Sequence, residues 1–444
     1  MTITNDSLVD RIRDFAHPLI GSRSDLDPLL DKIGDRSIVL LGEATHGTHE
    51  FYSLRFEITK RLIEEKGFAA IAIEADWPDV LHVNRFIHGH QSDSHIMESL
   101  GAFQRFPMWM WRNSDFLDMV EWLWVHNRRE STDTCASLFG IDLYSLYKSM
   151  DEVIGYLERN DPEAATRAKS LYACFDHYDQ DPVRYGRFVR VGAQPSCEQA
   201  AAQAVANLFE NVSAASTRSI TGHPTSDELF FAKQNAELVR NAESYYRNLF
   251  SPLVNTWNVR DTHMADTIDN LLAHLASERR APKVVIWAHN SHVGDDRATE
   301  MGWHGQVNIG QLLRERHPGE TFTLGFTTYT GAVMAASQWD HPPMLKSVRP
   351  ALRGSFEALF HDVDVPSFYL DFEDAELNRK LAEPRLERAI GVIYSPETER
   401  ASHYFEAKIS EQFDAVIHVD QTREVEPLDR LAQIETAAPS EIQF

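Results

Sequence analysis

The chain has 444 residues, of which 43% are hydrophobic and 25% charged, with 21 glycines and 19 prolines. That is the composition of a folded globular protein of more than one small domain, and it excludes disordered, collagen-like and coiled-coil classes. With 43 Lys and Arg against 67 Asp and Glu, the formal charge is −24, which repels phosphate backbones and anionic membranes and favours a neutral or cationic small molecule as partner.

In chain order, the first buried-strand pattern is Ser37–Leu41 (SIVLL). Tyr52–Glu65 then reads as a helix: Leu54, Ile58 and Leu62 recur every fourth residue, and Gly67 stands where a C-terminal cap belongs. Phe68–Ile73 is a second strand. The stretch Pro107–Trp124 holds four of the nine tryptophans at helical spacing, which reads as core or as an apolar wall for a bulky substrate. Ser137–Ile141 is the third strand. From 145 to 280 no strand pattern occurs and Ala, Leu and Glu dominate, as in Glu198–Glu210 and Glu228–Tyr246, with loops expected at Arg184–Cys197 and Thr221–Ser226. The strand patterns resume at Lys283–Ala288, Thr321–Phe326, Ile390–Tyr394 and Ala415–Val419.

Each of these runs lacks polar alternation, as strands covered on both faces do. Strands separated by helices predict an α/β fold, three layers with a mainly parallel, doubly wound sheet. The expected organisation is a first half of the core over 1–144, a helical insertion or lid over 145–280, and the second half over 281–444.

In such a sheet, ligands bind beyond the carboxyl ends of the strands. The residues there are Gly42-Glu43-Ala44-Thr45-His46-Gly47-Thr48-His49-Glu50 after the first strand, Glu74-Ala75-Asp76-Trp77 after the second and Asp142 after the third. His289-Asn290-Ser291-His292 follows the fourth strand, and Thr327, Thr328 and Tyr329 follow the fifth. Carboxylates and imidazoles therefore collect at one edge. A strand-end carboxylate such as Glu74 is costly unless paired. Arg55 sits on the helix where its guanidinium can aim at Glu43, Glu74 or a developing oxyanion. His46 and His289 are the candidate general bases, since imidazole titrates nearest neutrality; His49 and His292 complete two H-x-x-H tetrads, which also raise a zinc or manganese reading. Trp77, His292 and Asp142 are expected to contact substrate.

No G-x-S-x-G elbow, phosphate-binding P-loop or G-x-G-x-x-G occurs. His and Glu without an activated Ser or Cys point to direct attack by water. Cys135, Cys174 and Cys197 are odd in number and lack zinc spacing, so no disulfide framework is expected and a reducing cytoplasm suits them. The start, MTITNDSLVDRIRDF, lacks a secretion signal's pattern, and no run of about 18 apolar residues suggests a membrane span. The sequence does not set the oligomeric state.

The segments Leu40–Trp77, Phe139–Ser145 (FGIDLYS), Trp257–Ile268 (WNVRDTHMADTI), Trp287–Asp295 (WAHNSHVGD) and the C-terminal SHYF and QFDAVIHVDQT runs resemble the erythromycin esterase family, some of whose members are labelled succinoglycan-biosynthesis proteins. The resemblance implies a metal- and cofactor-independent opening of a macrolide lactone, and with it a role in antibiotic resistance. It assigns His46 as the base that activates water, Glu74 as the carboxylate that assists, and Glu43, Arg55 and His289 as further active-site residues. Relatives of the Tiki/TraB type keep a metal-dependent hydrolase as an alternative. Two others follow from the residues themselves: a glycoside-processing enzyme with Glu43 and Glu74 as its acid/base pair, and a non-enzymatic, haem- or ligand-binding module.

Overall fold

The computed structural model describes residues 5–89, 95–129, 135–215, 226–278 and 282–429. Its strands are β1 (His17–Pro18), β2 (Ile38–Leu41), β3 (Ala70–Asp76), β4 (Ser137–Asp142), β5 (Val284–Trp287), β6 (Thr321–Ala335), β7 (Met344–Val348), β8 (Ser367–Asp371), β9 (Arg385–Arg388), β10 (Tyr404–Ala407) and β11 (Ala415–Thr422). The chain divides into two compact units. The first comprises Met1–Ala72, His82–Leu138 and Ala281–Phe444; the second comprises Ile73–Leu81 and Phe139–Arg280.

The sheet runs in the order β1-β8-β11-β6-β2-β5-β3-β4, with β7 paired to β6. β2 is parallel to both β5 and β6, and β11 is parallel to β6. All four residues of β2 and of β5 are buried, which explains why each reads as an unbroken apolar run. The fold is therefore α/β with a mostly parallel central sheet, as the alternating pattern predicts. Its far edge is antiparallel: β8 pairs with β11 and β1 with β8. The helix α1 (His49–Lys66) buries Phe51, Tyr52, Arg55, Ile58 and Leu62, and ends at Gly67 in the left-handed conformation (φ 72°), whose N–H bonds Leu62 O.

Three expectations are corrected. Ile390–Tyr394 forms no strand; only single bridges tie Ile390 to Thr45 and Ile393 to Ala336. The strand in that region is β9, whose partner β10 lies with it in a separate two-stranded ladder. The first half of the expected Arg184–Cys197 loop belongs to the helix Pro182–Arg190, started by Asp181, whose side chain accepts from Val183 N and Arg184 N; the second half is irregular, as expected. The loop placed at Thr221–Ser226 lies outside the described residues except for Ser226, where a helix begins. Cys174 and Cys197 form a disulfide with Cα atoms 6.0 Å apart. Sequence spacing carries no information on such proximity, and Cys135, which is buried, takes no part in a disulfide. No helix among the described residues is long and apolar enough to cross a membrane.

Among the described residues from Phe139 to 278, the second unit is helical beyond the end of β4. Its long members include α2 (Leu146–Asn160), α3 (Ser226–Asn248) and α4 (Thr256–Glu278). Here Tyr185 OH donates to Glu243 Oε1 at 2.5 Å and receives Cys197 N at 2.9 Å, a buried polar knot beside the disulfide. On α4, His263 is buried with its Nδ1 2.9 Å from Asn241 Nδ2, a donor, so the ring accepts at that nitrogen. Burial pushes His263 down to about 4.

A histidine lowered in the folded state stabilises the protein above its unfolded value near 6.5 and loses that contribution as pH falls toward 4. Wild type is therefore expected to lose about 2 kcal/mol more than His263→Gln between pH 7 and pH 4.5 in urea unfolding. Parallel pH profiles for the two proteins would show that His263 titrates normally.

Candidate active site

Leu41 of β2 is level with Trp287 of β5. Two residues further on, Glu43 and His289 leave adjacent parallel strands at the same height, at the sheet edge where open α/β folds build sites. Backbone bonds fix this turn on three sides. Gly42 N donates to Leu324 O, Asn290 N to Glu43 O and Ile390 N to Ala44 O, each at 2.8 Å. Any side chain on Gly42 would collide with Asn290 Oδ1, and any on Gly47 with Met334 O, so both positions need glycine for close approach.

Glu43 is fully buried and both its oxygens are used. Oε1 lies 2.8 Å from His46 Nδ1, and Oε2 receives Arg55 Nη2. Arg55 is itself fully buried. Its Nε donates to Phe51 O at 3.3 Å, and its guanidinium carbon stands 4.7 Å from the Tyr52 ring centre and 4.6 Å from that of Trp287. Two aromatic faces and a carboxylate thus replace the water lost by this cation. The aromatics are fixed in turn: Trp287 Nε1 donates to Thr59 Oγ1 at 2.9 Å and Tyr52 OH to Met110 O at 2.7 Å.

These bonds decide where the imidazole protons sit. A carboxylate facing a guanidinium accepts from His46, so the neutral ring is protonated at Nδ1 and keeps its lone pair at Nε2. His289, whose ring centre is 4.9 Å from that of His46, accepts at Nδ1 from Ser291 N at 3.2 Å, with Ser291 Oγ at 2.8 Å. A backbone N–H can only donate, so His289 in its neutral form carries its proton on Nε2. One imidazole is set up to take a proton and its neighbour to give a hydrogen bond.

His49 is engaged on both sides, by Asp115 Oδ1 at 2.6 Å and Arg423 Nη2 at 2.5 Å. His292 is buried in the short helix Asn290–Val293. Among the described residues no group of three or more His, Cys, Asp or Glu side chains gathers as metal ligands do.

In the second unit, Arg260 joins two of the expected carboxylates. Its Nε and Nη2 reach Asp142 Oδ1 and Oδ2 at 2.9 and 2.7 Å, and Nη2 reaches Glu74 Oε1 at 2.7 Å. The guanidinium stands 5.0 Å from the Tyr144 ring centre. Burial raises the Tyr144 hydroxyl well above its usual range. Trp77 packs against Phe139, Phe230 and Phe231 at 5.9, 5.7 and 5.6 Å, within an aromatic core.

Sequence reasoning gave no role to Arg260, Tyr144 or Ser291, although all three lie in segments it singled out. Arg260 lies within the Trp257–Ile268 segment, but a single arginine on a helix gives no local sign of its partners; only the folded chain reveals them.

The erythromycin esterase family model matches residues 63–422. The chain belongs to the erythromycin esterase family. It is accordingly a hydrolase. It is 24% identical over 437 residues to YbfO of Bacillus subtilis strain 168, named as a candidate hydrolase, spanning 92% of this chain and 90% of that one. It is 23% identical over 326 residues to erythromycin esterase type II of Escherichia coli, spanning 70% and 73% of the two chains. A solved succinoglycan biosynthesis protein shares the fold, with a TM-score of 0.75 and 22% identity over 96% of this chain and 99% of that one.

Removing Arg55 leaves a buried carboxyl without its cation. Arg55→Met is expected to destabilise the fold by about 3–5 kcal/mol in denaturant unfolding, with much of the loss recovered in Glu43→Gln/Arg55→Met. A single variant within about 1 kcal/mol of wild type would show that the pair contributes little.

Proposed function

We propose that this hydrolase cleaves a carboxylic ester or lactone by direct attack of water, with no covalent intermediate. The observation that carries the reading is the complementary state of the two imidazoles 4.9 Å apart. His46 Nε2 takes the proton from water as it attacks the carbonyl, and Glu43 holds the ring and stabilises the imidazolium that forms. Arg55, enclosed behind Glu43, serves by fixing that carboxylate; this differs from the oxyanion role open to it in the sequence. His289 Nε2–H donates to the tetrahedral oxyanion, and as that intermediate collapses the His46 imidazolium gives its proton to the leaving oxygen, which departs as the alcohol. For Glu74 the support is the likeness of its strand-end segment to the family, which makes it the assisting carboxylate.

A large uncharged ester such as a macrolide lactone is the proposed substrate class. The chain's −24 charge disfavours anions, and a relative bears the erythromycin esterase name. A sugar-cleaving role for Glu43 is not favoured, because both its oxygens are occupied and it is fully buried.

Mass spectrometry of macrolides and simple esters incubated with the protein is expected to show a product heavier by one water. His46→Ala should fold normally and lower turnover by about 10²–10⁴-fold; His289→Ala should act mainly on kcat, by about 10²–10³-fold. Full activity in His46→Ala would remove that residue from the chemistry. Chelator treatment is expected to leave activity unchanged, and a loss restored by zinc would transfer the reading to a metal-dependent hydrolase.

A further inference from the structure

Beneath the His289–Asn290 corner lies a polar cluster that the proposed chemistry does not use. Glu387 of β9 and Glu357 of the helix α5 (Phe356–His361) are both buried, at 0% and 1% exposure. Glu357 Oε1 accepts from Arg388 N at 2.8 Å. Its Oε2, both oxygens of Glu387 and Oε1 of Gln412 have no hydrogen-bond partner of ordinary geometry. Four buried acceptor atoms are thus left unsatisfied, and the polar groups neighbouring Glu387 are Glu357, which holds the N–H of the next residue, and the amides of Gln412, on the helix α6 (Ile409–Gln412), and of Asn290.

The guanidinium of Arg388, whose backbone N–H Glu357 holds, is committed elsewhere. Arg388 donates to Arg349 O, Thr328 O and Tyr329 O at 2.7, 2.6 and 2.9 Å and pairs with Glu399 at 3.2 Å. Other charged or titratable groups on the surrounding elements are Arg385 on β9, whose buried Nε has no hydrogen-bond partner, Tyr404 and Glu406 on β10, His361 on α5, Lys408 and Glu411 at α6, Asp296 on the turn packed against α6, and His292 beside Asn290. No described ion pair joins any of them to Glu387. Two ionised carboxylates at such a place would be left without compensation, whereas one added proton turns a surplus acceptor into the missing donor. Burial and the neighbouring Glu357 carboxyl both push Glu387 well above the usual range, and burial pushes Glu357 up.

We propose that Glu357 and Glu387 hold one proton between them at neutral pH, and that the resulting neutral carboxyl is a positioning group for Asn290. Asn290 is the link to the chemistry. Its side chain pairs with Phe326, Nδ2 to O at 2.7 Å and N to Oδ1 at 3.2 Å, while its backbone N holds Glu43 O at 2.8 Å and the preceding residue is His289. Ionising the dyad at alkaline pH places a second buried charge under this corner and disturbs the imidazole pair from below. A neutral acid retained as a donor in an apolar site has this same physical basis.

The test uses the full chain and no ester, so its outcome is independent of the proposed hydrolysis. Infrared difference spectra between wild type and Glu387→Gln at pH 7 are expected to show the C=O stretch of a protonated carboxyl in wild type only. The imidazole carbon-13 signal of His289 is expected to step at the alkaline pH where that band vanishes, and to lose the step in Glu387→Gln. Should Glu387→Gln fail to fold, Glu357→Gln serves instead: without the neighbouring charge, the band should vanish at lower pH than in wild type. Absence of the band at pH 7, a His289 step that persists in Glu387→Gln, or an unmoved midpoint in Glu357→Gln would each overturn the proposal.

Discussion

The Glu43 carboxylate, enclosed between an imidazole and a guanidinium, is the constraint on which the site depends. An ionised carboxyl out of contact with water is tolerable only with a cation and full hydrogen bonding. Meeting that need requires Arg55 on the buried face of α1, and covering Arg55 requires Tyr52 and Trp287. The demand spreads from one residue into a helix face and a strand end. The chemical result is a single protonation pattern at His46, set by geometry before any substrate arrives.

The same logic explains how far the sequence could be read. Core strands were legible because burial on both faces leaves an unbroken apolar run, as in β2 and β5. Residues after those runs could be picked out as a candidate site because parallel sheets open at that edge. The roles within the site were harder to read. Arg55 stood at the edge of an apolar helix face, and its position alone could not distinguish an arm reaching for an oxyanion from a strut behind Glu43. The antiparallel margin was also hidden. β8 (SFYLD) mixes polar with apolar residues and has half-buried ends, so it lacks the signal of a central strand. Ile390–Tyr394 shows the opposite failure: Ile390 and Tyr394 are buried and the residues between them half-buried, but in a segment that braces Ala44 through one backbone bond rather than in a ladder.

The helical unit carries its own buried charges. Arg260, Asp142 and Glu74 form a triad, and Tyr185, Glu243 and Arg247 another, the second next to the Cys174–Cys197 bridge. Neither is visible as a motif, because the partners lie up to 186 residues apart. Long-range pairing of this kind is specified by the folded backbone, and local pattern is silent about it.

The path of the catalytic turn is fixed by main-chain atoms pressed against main-chain atoms, at Gly42 near Leu324 O and at Gly47 near Met334 O. Both contacts fall on β6, whose fifteen residues run on into the β6–β7 hairpin. Mutational drift in side chains along that strand can therefore alter what surrounds the turn without displacing it, whereas a shift of strand register by a single residue would dismantle it. Such a scaffold permits broad variation in the surrounding side chains while Glu43 and His46 stay in place.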